Sequence, residues 1–277
     1  MRTLLRNLGL TAASLALLGA TVPAAVPATA PAAASAPPAT EVVHGLGFDA
    51  CAAPPVKAMR AWYGTSPYRA VGIYVSGSQR HCAQPELTAE WVRQVRAMGW
   101  RLIPAHVGMQ APCNDYPHKT ERFEPARAVE QGRAQAREAV RALTALGIGK
   151  GSPVYLDVES YAVKDAPAAC GRAVVDAVVG WTRELKSSGY RAGFYSSLGS
   201  GVRDLAEAAR AGRSPLPEAL WYARWDQRDT TADQGPLTAG LWPKDARIHQ
   251  FAGNVKETWG GETLTIDRNR LDGPVAR

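Results

Sequence analysis

Residues 152–160 read SPVYLDVES. The run from Pro153 has the apolar, β-branched and aromatic character of a buried strand, yet it carries two carboxylates, Asp157 and Glu159, two positions apart. Side chains alternate between the faces of a strand, so Val154, Leu156 and Val158 form one apolar face and Tyr155, Asp157 and Glu159 the other. Two like charges about 7 Å apart on one strand face oppose folding. The pair therefore calls for a functional explanation, and its strand needs a fold in which one face packs and the other opens onto a site.

The same sorting recurs along the chain. Strands are expected at 46–50 (LGFDA), 70–77 (AVGIYVSG), 101–108 (RLIPAHVG), 153–160, 191–197 (RAGFYSS), 219–226 (ALWYARWD), 247–253 (RIHQFAG) and 263–271 (TLTIDRNRL). Helices are expected between them at 54–63, 87–98, 124–146, 169–188 and 201–211, the third and fourth carrying apolar residues such as Val140, Leu143 and Leu146, or Val174, Val178, Trp181 and Leu185, at helical spacing. Beyond the sixth strand the connections turn Pro- and Gly-rich. Strands alternating with helices imply parallel strands and crossover helices. An open doubly wound sheet reads much the same way, but no G-x-G-x-x-G turn follows the first strand. The expected fold is α/β: an irregular (β/α)8 TIM-like barrel with few helices in its last quarter.

In such a barrel one strand face meets the helical shell, and polar groups near the strand ends line the open mouth. Phe48 opposes Asp49; Val71, Ile73 and Val75 oppose Gly72, Tyr74 and Ser76; Leu264 and Ile266 oppose Thr265, Asp267 and Asn269. Asp49, Asp157, Glu159 and Asp267 are thus expected to converge at the mouth. Four crowded, dehydrated carboxylates cannot all stay ionised at neutral pH, so at least one should keep its proton, as a general acid must. An acid at a strand end also commonly caps a loop, and Asp267 beside Arg268 and Arg270 also reads as a plain ion pair.

Tyr74, Tyr155, Tyr195, Trp221, Tyr222 and Trp225 fall at or near strand ends, where flat rings stack on sugar faces. By alternation Trp221 and Trp225 share one face while Tyr222 shares the other with Arg224 and Asp226, so some of these rings belong to the core. Acids with aromatics suit a carbohydrate better than a phosphorylated ligand. His106 and His249 are read as hydrogen-bonding residues and His81 and His118 as loop residues, since neither G-x-S-x-G nor H-E-x-x-H is present. No metal or cofactor is expected.

The chain has 277 residues, 46% hydrophobic and 21% charged, with a formal net charge of +7. Its arginines are dispersed over helical faces without the density of a basic arm, which argues against nucleic acid and favours polyanionic surface material. Residues 1–36 read as a signal peptide followed by an Ala/Pro-rich segment, with Arg2 and Arg6 ahead of an apolar run too short to span a bilayer. The non-adjacent arginines favour the general export route over the twin-arginine one. Residues 37–43 read as a short linker and 44–277 as a single domain. Cys51, Cys82, Cys113 and Cys170, an even number behind an export signal, imply two disulfides; their spacing lacks the C-x-x-C of a zinc site. Three pairings are open.

Taken in order, GFDAC, YLDVES, HQF and TIDRNRLDG resemble the glycoside hydrolase family twenty-five lysozymes, secreted muramidases on an irregular β/α barrel that cut peptidoglycan with a D-x-E strand pair. YRAVGIYVSG, GWRLIPAHVG, LWYARWD and RIHQFAG are similar to a sister group, the glycoside-hydrolase-like domain of secreted bacterial proteins (domain of unknown function 1906). The likeness runs from about Gly45 to Gly273. It implies that Glu159 is a general acid, that Asp157 orients or stabilises the reacting sugar, and that Asp49 and Asp267 support them. Tyr74, Tyr155, Tyr195, Tyr222 and Gln250 of the HQF strand are the expected substrate-binding residues. The Cys-bearing loops depart from the lysozyme pattern.

In this barrel each cysteine follows a different strand, and neighbouring strands carry neighbouring loops, so Cys51–Cys82 and Cys113–Cys170 are the preferred pairs. The expected function is a secreted, cell-wall-associated, monomeric glycosidase of muramidase type acting on cell-wall polysaccharide, without nucleic acid and without stable membrane insertion once the signal is cleaved. The alternative is a barrel that binds wall glycans without cutting them.

Overall fold

A computed structural model describes residues 41–162, 168–238 and 240–276. The expected signal peptide and Ala/Pro-rich segment, and residues 37–40 of the expected linker, lie outside the described residues. The strands are β1 (Glu41–Asp49), β2 (Tyr68–Ser76), β3 (Arg101–His106), β4 (Pro153–Asp157), β5 (Arg191–Ser197), β6 (Ala219–Ala223), β7 (Arg247–Trp259) and β8 (Glu262–Val275). The helices are α1 (Val56–Thr65), α2 (Ala89–Ala97), α3 (Ala128–Ala145), α4 (Ala168–Ser188) and α5 (Gly201–Arg210), one after each of the first five strands. Residues 41–43, expected as linker, are the start of β1, paired with Val275, Pro274 and Gly273 of β8.

The eight strands close into a barrel in sequence order. Pairing is parallel from β1 to β7, but β8 runs antiparallel to both neighbours. This corrects the uniformly parallel reading. Only the short Gly260–Gly261 turn separates β7 from β8, a length that permits an antiparallel hairpin and not a parallel crossover. The reversal places the N-terminal half of β8 at the mouth, with Asp267 directly opposite Asp49.

Alternation sorts the core as expected. The shell side buries Phe48, Val71, Ile73, Val154, Leu156 and Val158 against the helices, each such burial contributing roughly 1.5–3 kcal/mol. The barrel interior is a separate apolar layer containing Ile103, Ala105, Tyr155, Trp221, Ile248 and Leu271. One assignment is corrected. A bulge between Tyr74 and Ser76 aligns Ser76 with His106, and Ser76 Oγ lies 2.8 Å from His106 Nδ1, on the helix side where the His106 ring meets Trp181.

The helical shell is closest where α3 crosses α4. A Cβ on Gly132 would stand 1.9 Å from the Ala177 carbonyl oxygen, and one on Gly180 would stand 1.9 Å from that of Val129. Backbone thus touches backbone at two reciprocal points, so alanine at either position forces the helices apart. Helix α2 begins at Thr88, whose Oγ1 accepts from the Trp91 N–H at 3.1 Å, a cap worth about 1 kcal/mol.

Candidate active site

The mouth is built from strand ends. Asp49 ends β1, and Tyr74, Tyr195 and Gln250 project from β2, β5 and β7. Asp157 ends β4, with Glu159 just beyond it, and Asp267 comes from β8. These residues, together with Asn254 of β7 and with Arg80, His81, Lys119 and Trp225 from the loops, line a cleft of about 390 Å³, within the usual range of ligand sites. All four sequence-expected carboxylates are brought together, as are Tyr74, Tyr195 and Gln250.

Asp49 is 1% exposed and fully engaged. Tyr74 Oη donates to its Oδ2 at 2.8 Å, Asn269 Nδ2 to its Oδ1 at 2.6 Å, and Gln250 Nε2 to both oxygens at 3.1 and 3.2 Å. Gln250 Nε2 also reaches Asp267 Oδ2 at 3.3 Å, while its Oε1 accepts from Tyr195 Oη at 3.1 Å and Trp225 Nε1 at 3.0 Å. Asp267 Oδ1 accepts from the Asn254 N–H at 2.6 Å. The adjacent arginines do not pair with Asp267: Arg268 binds Glu257, and Arg270 binds Asp229. Asp157 is 4% exposed, and its buried Oδ1 has no hydrogen-bond partner. Glu159 is more open, and Lys119 Nζ lies 3.1 Å from its Oε1.

Burial and neighbouring charge push three of these carboxyls upward. Asp49 reaches about 7, chiefly through burial and then the Asp267 charge, against the hydrogen bonds from Asn269, Gln250 and Tyr74. Asp157 is held well above the usual carboxylate range by burial, then by the charge of Glu159, with Lys119 opposing. Asp267 is raised by burial and, more weakly, by Glu159, against the Asn254 amide. The expectation that the crowded acids retain protons thus settles on aspartates with defined surroundings.

Two expected substrate-binding residues are placed elsewhere. Tyr155 points into the barrel, but it lies below the cleft, fully buried, with its Oη donating to the Pro274 carbonyl at 2.9 Å. Alternation assigns a side chain to a face but not to a height along the barrel axis. Tyr222 faces the shell: its ring stacks on His249 at 4.5 Å and its Oη accepts from Gln234 Nε2 at 3.0 Å. Its neighbour Trp221 takes the inward position, donating from Nε1 to Asn269 Oδ1 at 2.7 Å. Gly72 makes room here, since a Cβ would meet Asp49 Cβ at 2.5 Å and the Trp221 ring at 3.0 Å.

His106 and His249 are satisfied core residues. His106 bridges Ser76 and Gln135, and His249 bridges the Thr230 and Arg224 carbonyls. Trp225, one of the aromatics expected at strand ends, lines the cleft and is 53% exposed, whereas Asn269, expected on the Asp267 face, is fully buried and bonds Asp49. Lys119 carried no local signal, because it arrives from a loop. Among the described residues, the grouping with metal-ligand spacing is His44, Asp245 and Asp272, outside this cleft, with His44 Nδ1 2.6 Å from Asp272 Oδ1.

Two disulfides tie loops at the mouth, Cys51–Cys82 and Cys113–Cys170, with Cα separations of 5.6 and 5.9 Å. The first joins the loops after β1 and β2; the second joins the loop after β3 to the start of α4.

The chain belongs to the Rv2525c-like, glycoside hydrolase-like domain family, whose model matches residues 60–271. Among solved structures, an uncharacterized B. stearothermophilus protein shares 19% identity at a TM-score of 0.54, over 82% of this chain and 95% of that one. The Tat-secreted protein Rv2525c of Mycobacterium tuberculosis, solved with L-tartrate, shares 17% at 0.52, over 83% and 96%. The spore cortex lytic enzyme SleM of Clostridium perfringens shares 16% at 0.55, over 82% and 67%. At these identities the likeness is one of fold. No curated protein matches the sequence.

Proposed function

We propose that this protein is an exported glycosidase-like barrel that cleaves a β-linked, N-acetylated cell-wall glycan of the peptidoglycan type. The observation that carries the reading is the contrast within the D-x-E pair: Glu159 stands at the cleft surface, whereas Asp157 is buried with Oδ1 unpartnered. In this reading Glu159 donates its proton to the glycosidic oxygen as the C–O bond breaks. The substrate's own acetamido oxygen attacks the anomeric carbon, and Asp157 accepts the acetamido N–H. Water then adds at that carbon, returns a proton to Glu159 and regenerates the acetamido group. Asp49 and Asp267 support the pair, and Tyr74, Tyr195 and Gln250 contribute to binding. Neighbours of the same fold that are named as lytic enzymes, SleM and the pneumococcal autolysin LytC, favour this substrate class. The two disulfides and the N-terminal leader pattern support export.

A second reading, a barrel that binds wall glycans without cutting them, draws on the Lys119–Glu159 ion pair, which engages the expected acid in the free protein. One experiment separates the two. The protein should release reducing ends from purified peptidoglycan, and Glu159→Gln should lower the rate at least 100-fold without changing the melting temperature by more than a few degrees. If both proteins sediment with peptidoglycan and neither releases reducing ends, the binding reading replaces the catalytic one.

A further inference from the structure

The β3–β4 ladder ends early. Its registered pairs are Ala105 with Tyr155 and His106 with Leu156, after which the β3 chain leaves the sheet to form the long loop over the mouth. Beyond that point Val158 keeps its bond to the β5 side, donating to the Tyr195 carbonyl at 3.0 Å. The Asp157 carbonyl and the Glu159 N–H face the vacated β3 side. A parallel neighbour would serve both from one residue, one of its groups donating to the carbonyl and the other accepting from the N–H two positions on.

The Gln110 side chain makes these two bonds. Its Nε2 donates to the Asp157 carbonyl at 3.0 Å, and its Oε1 accepts from the Glu159 N–H at 2.8 Å. A primary carboxamide offers the donor and acceptor of a peptide group, so it continues the ladder by one step after the backbone has departed. Gln110 is itself held: it is 0% exposed, its second Nε2 bond goes to the Gly108 carbonyl at 3.0 Å, and its backbone bonds to Glu121 and Phe123, each at 2.9 Å. The backbone is thus released to carry Lys119 toward Glu159, while the segment bearing both acids keeps ladder-type hydrogen bonds on both sides.

We propose that Gln110 is the positioning residue of the acid pair, its side-chain amide standing in for a missing strand to fix the Asp157–Glu159 backbone toward the cleft. This inference rests on the catalytic reading for its kinetic consequence and on geometry alone for its spectroscopic one. The test uses Gln110→Met, which keeps length and removes both bonds, and Gln110→Glu, which keeps the acceptor and serves if the first variant fails to fold. Carboxyl 13C NMR of Asp157 follows its titration in each protein, and peptidoglycan hydrolysis is assayed in parallel.

The expected result is a displaced titration of Asp157 and a kcat lowered 10- to 100-fold with KM within about threefold, the size expected for a misplacement near 1 Å. Unchanged titration and full kcat in the variant overturn the inference while leaving the proposed activity intact. If wild type does not hydrolyse peptidoglycan, the catalytic reading falls. The NMR then decides alone: displaced midpoints uphold the positioning role, and unchanged midpoints overturn it.

Discussion

Asp49 of β1 and Asp267 of β8 stand directly opposite each other across an antiparallel ladder, and the single Gln250 Nε2 donates to both carboxylates. Burial makes ionising either carboxyl costly, and like charges so placed add their repulsion. The Asp49 carboxyl accordingly titrates near 7, against an ordinary 3.8. Between these values the folded protein binds a proton that the unfolded chain has lost, so stability falls as pH rises. The contribution is whole below the unfolded value and is lost as pH rises through about 7. Urea titrations from pH 4 to 8 should show this decline, to which Asp49 contributes at most about 1.4 kcal/mol per pH unit, and Asp49→Asn should remove that share while the raised Asp157 and Asp267 keep theirs. An unchanged slope in the variant would place the shift elsewhere.

Asp267→Asn removes the charge that raises Asp49. The Asp49 carboxyl should then titrate at lower pH, read directly from its 13C resonance, and the pH dependence of stability should shrink in step.

Lys119 opposes the upward shift of Asp157 and faces Glu159 across 3.1 Å. Lys119→Met should favour the protonated form of Asp157, moving its midpoint to higher pH as read from its carboxyl 13C resonance. An unmoved Asp157 midpoint would show that Lys119 does not act on it.

Two of the inward tyrosines should behave oppositely. Tyr155→Phe loses the bond to the Pro274 carbonyl and should cost about 1 kcal/mol of stability with glycan affinity unchanged. Tyr195→Phe loses its bond to Gln250 at the cleft and should weaken binding of a chitooligosaccharide by calorimetry. Equal affinities for the two variants would show that Tyr195 plays no part in binding.

Replacing Cys113 and Cys170 together by Ala opens a closure of 57 residues. By chain entropy this costs about 4 kcal/mol, commonly less in practice. Calorimetry should show a melting temperature lower by several degrees, with a greater loss than for the Cys51–Cys82 pair, whose separation is 31.

Much of the barrel was legible because its signals are local. The five expected helices and eight expected strands all form, with ends moved by a few residues except at β1, β7 and β8, whose strands extend further. The hydrophobic face of each element is written at its own spacing, and both disulfides follow from strand order once the barrel is granted. The carboxylates were legible because an acid on the inward face of a strand has few ordinary reasons to be there. Ser76 was misassigned because a bulge resets alternation without a residue that announces it. Tyr222 was misplaced as a ligand contact because its inward or outward sense depends on Trp221, whose orientation is set by the barrel's inner layer.

By itself, then, the sequence determined how most side chains divide between the two faces of their strand, because alternation is a property of one strand's own backbone. It placed Asp49, Asp157, Glu159 and Asp267 on the inner side for that reason. Only the tertiary structure decided height, direction and company. β8 turns back to set Asp267 opposite Asp49, Tyr155 sinks below the cleft, Lys119 reaches Glu159 from a loop, and the Gln110 amide replaces a strand. Each depends on pairing between segments distant in the chain, and no local periodicity encodes such a pairing.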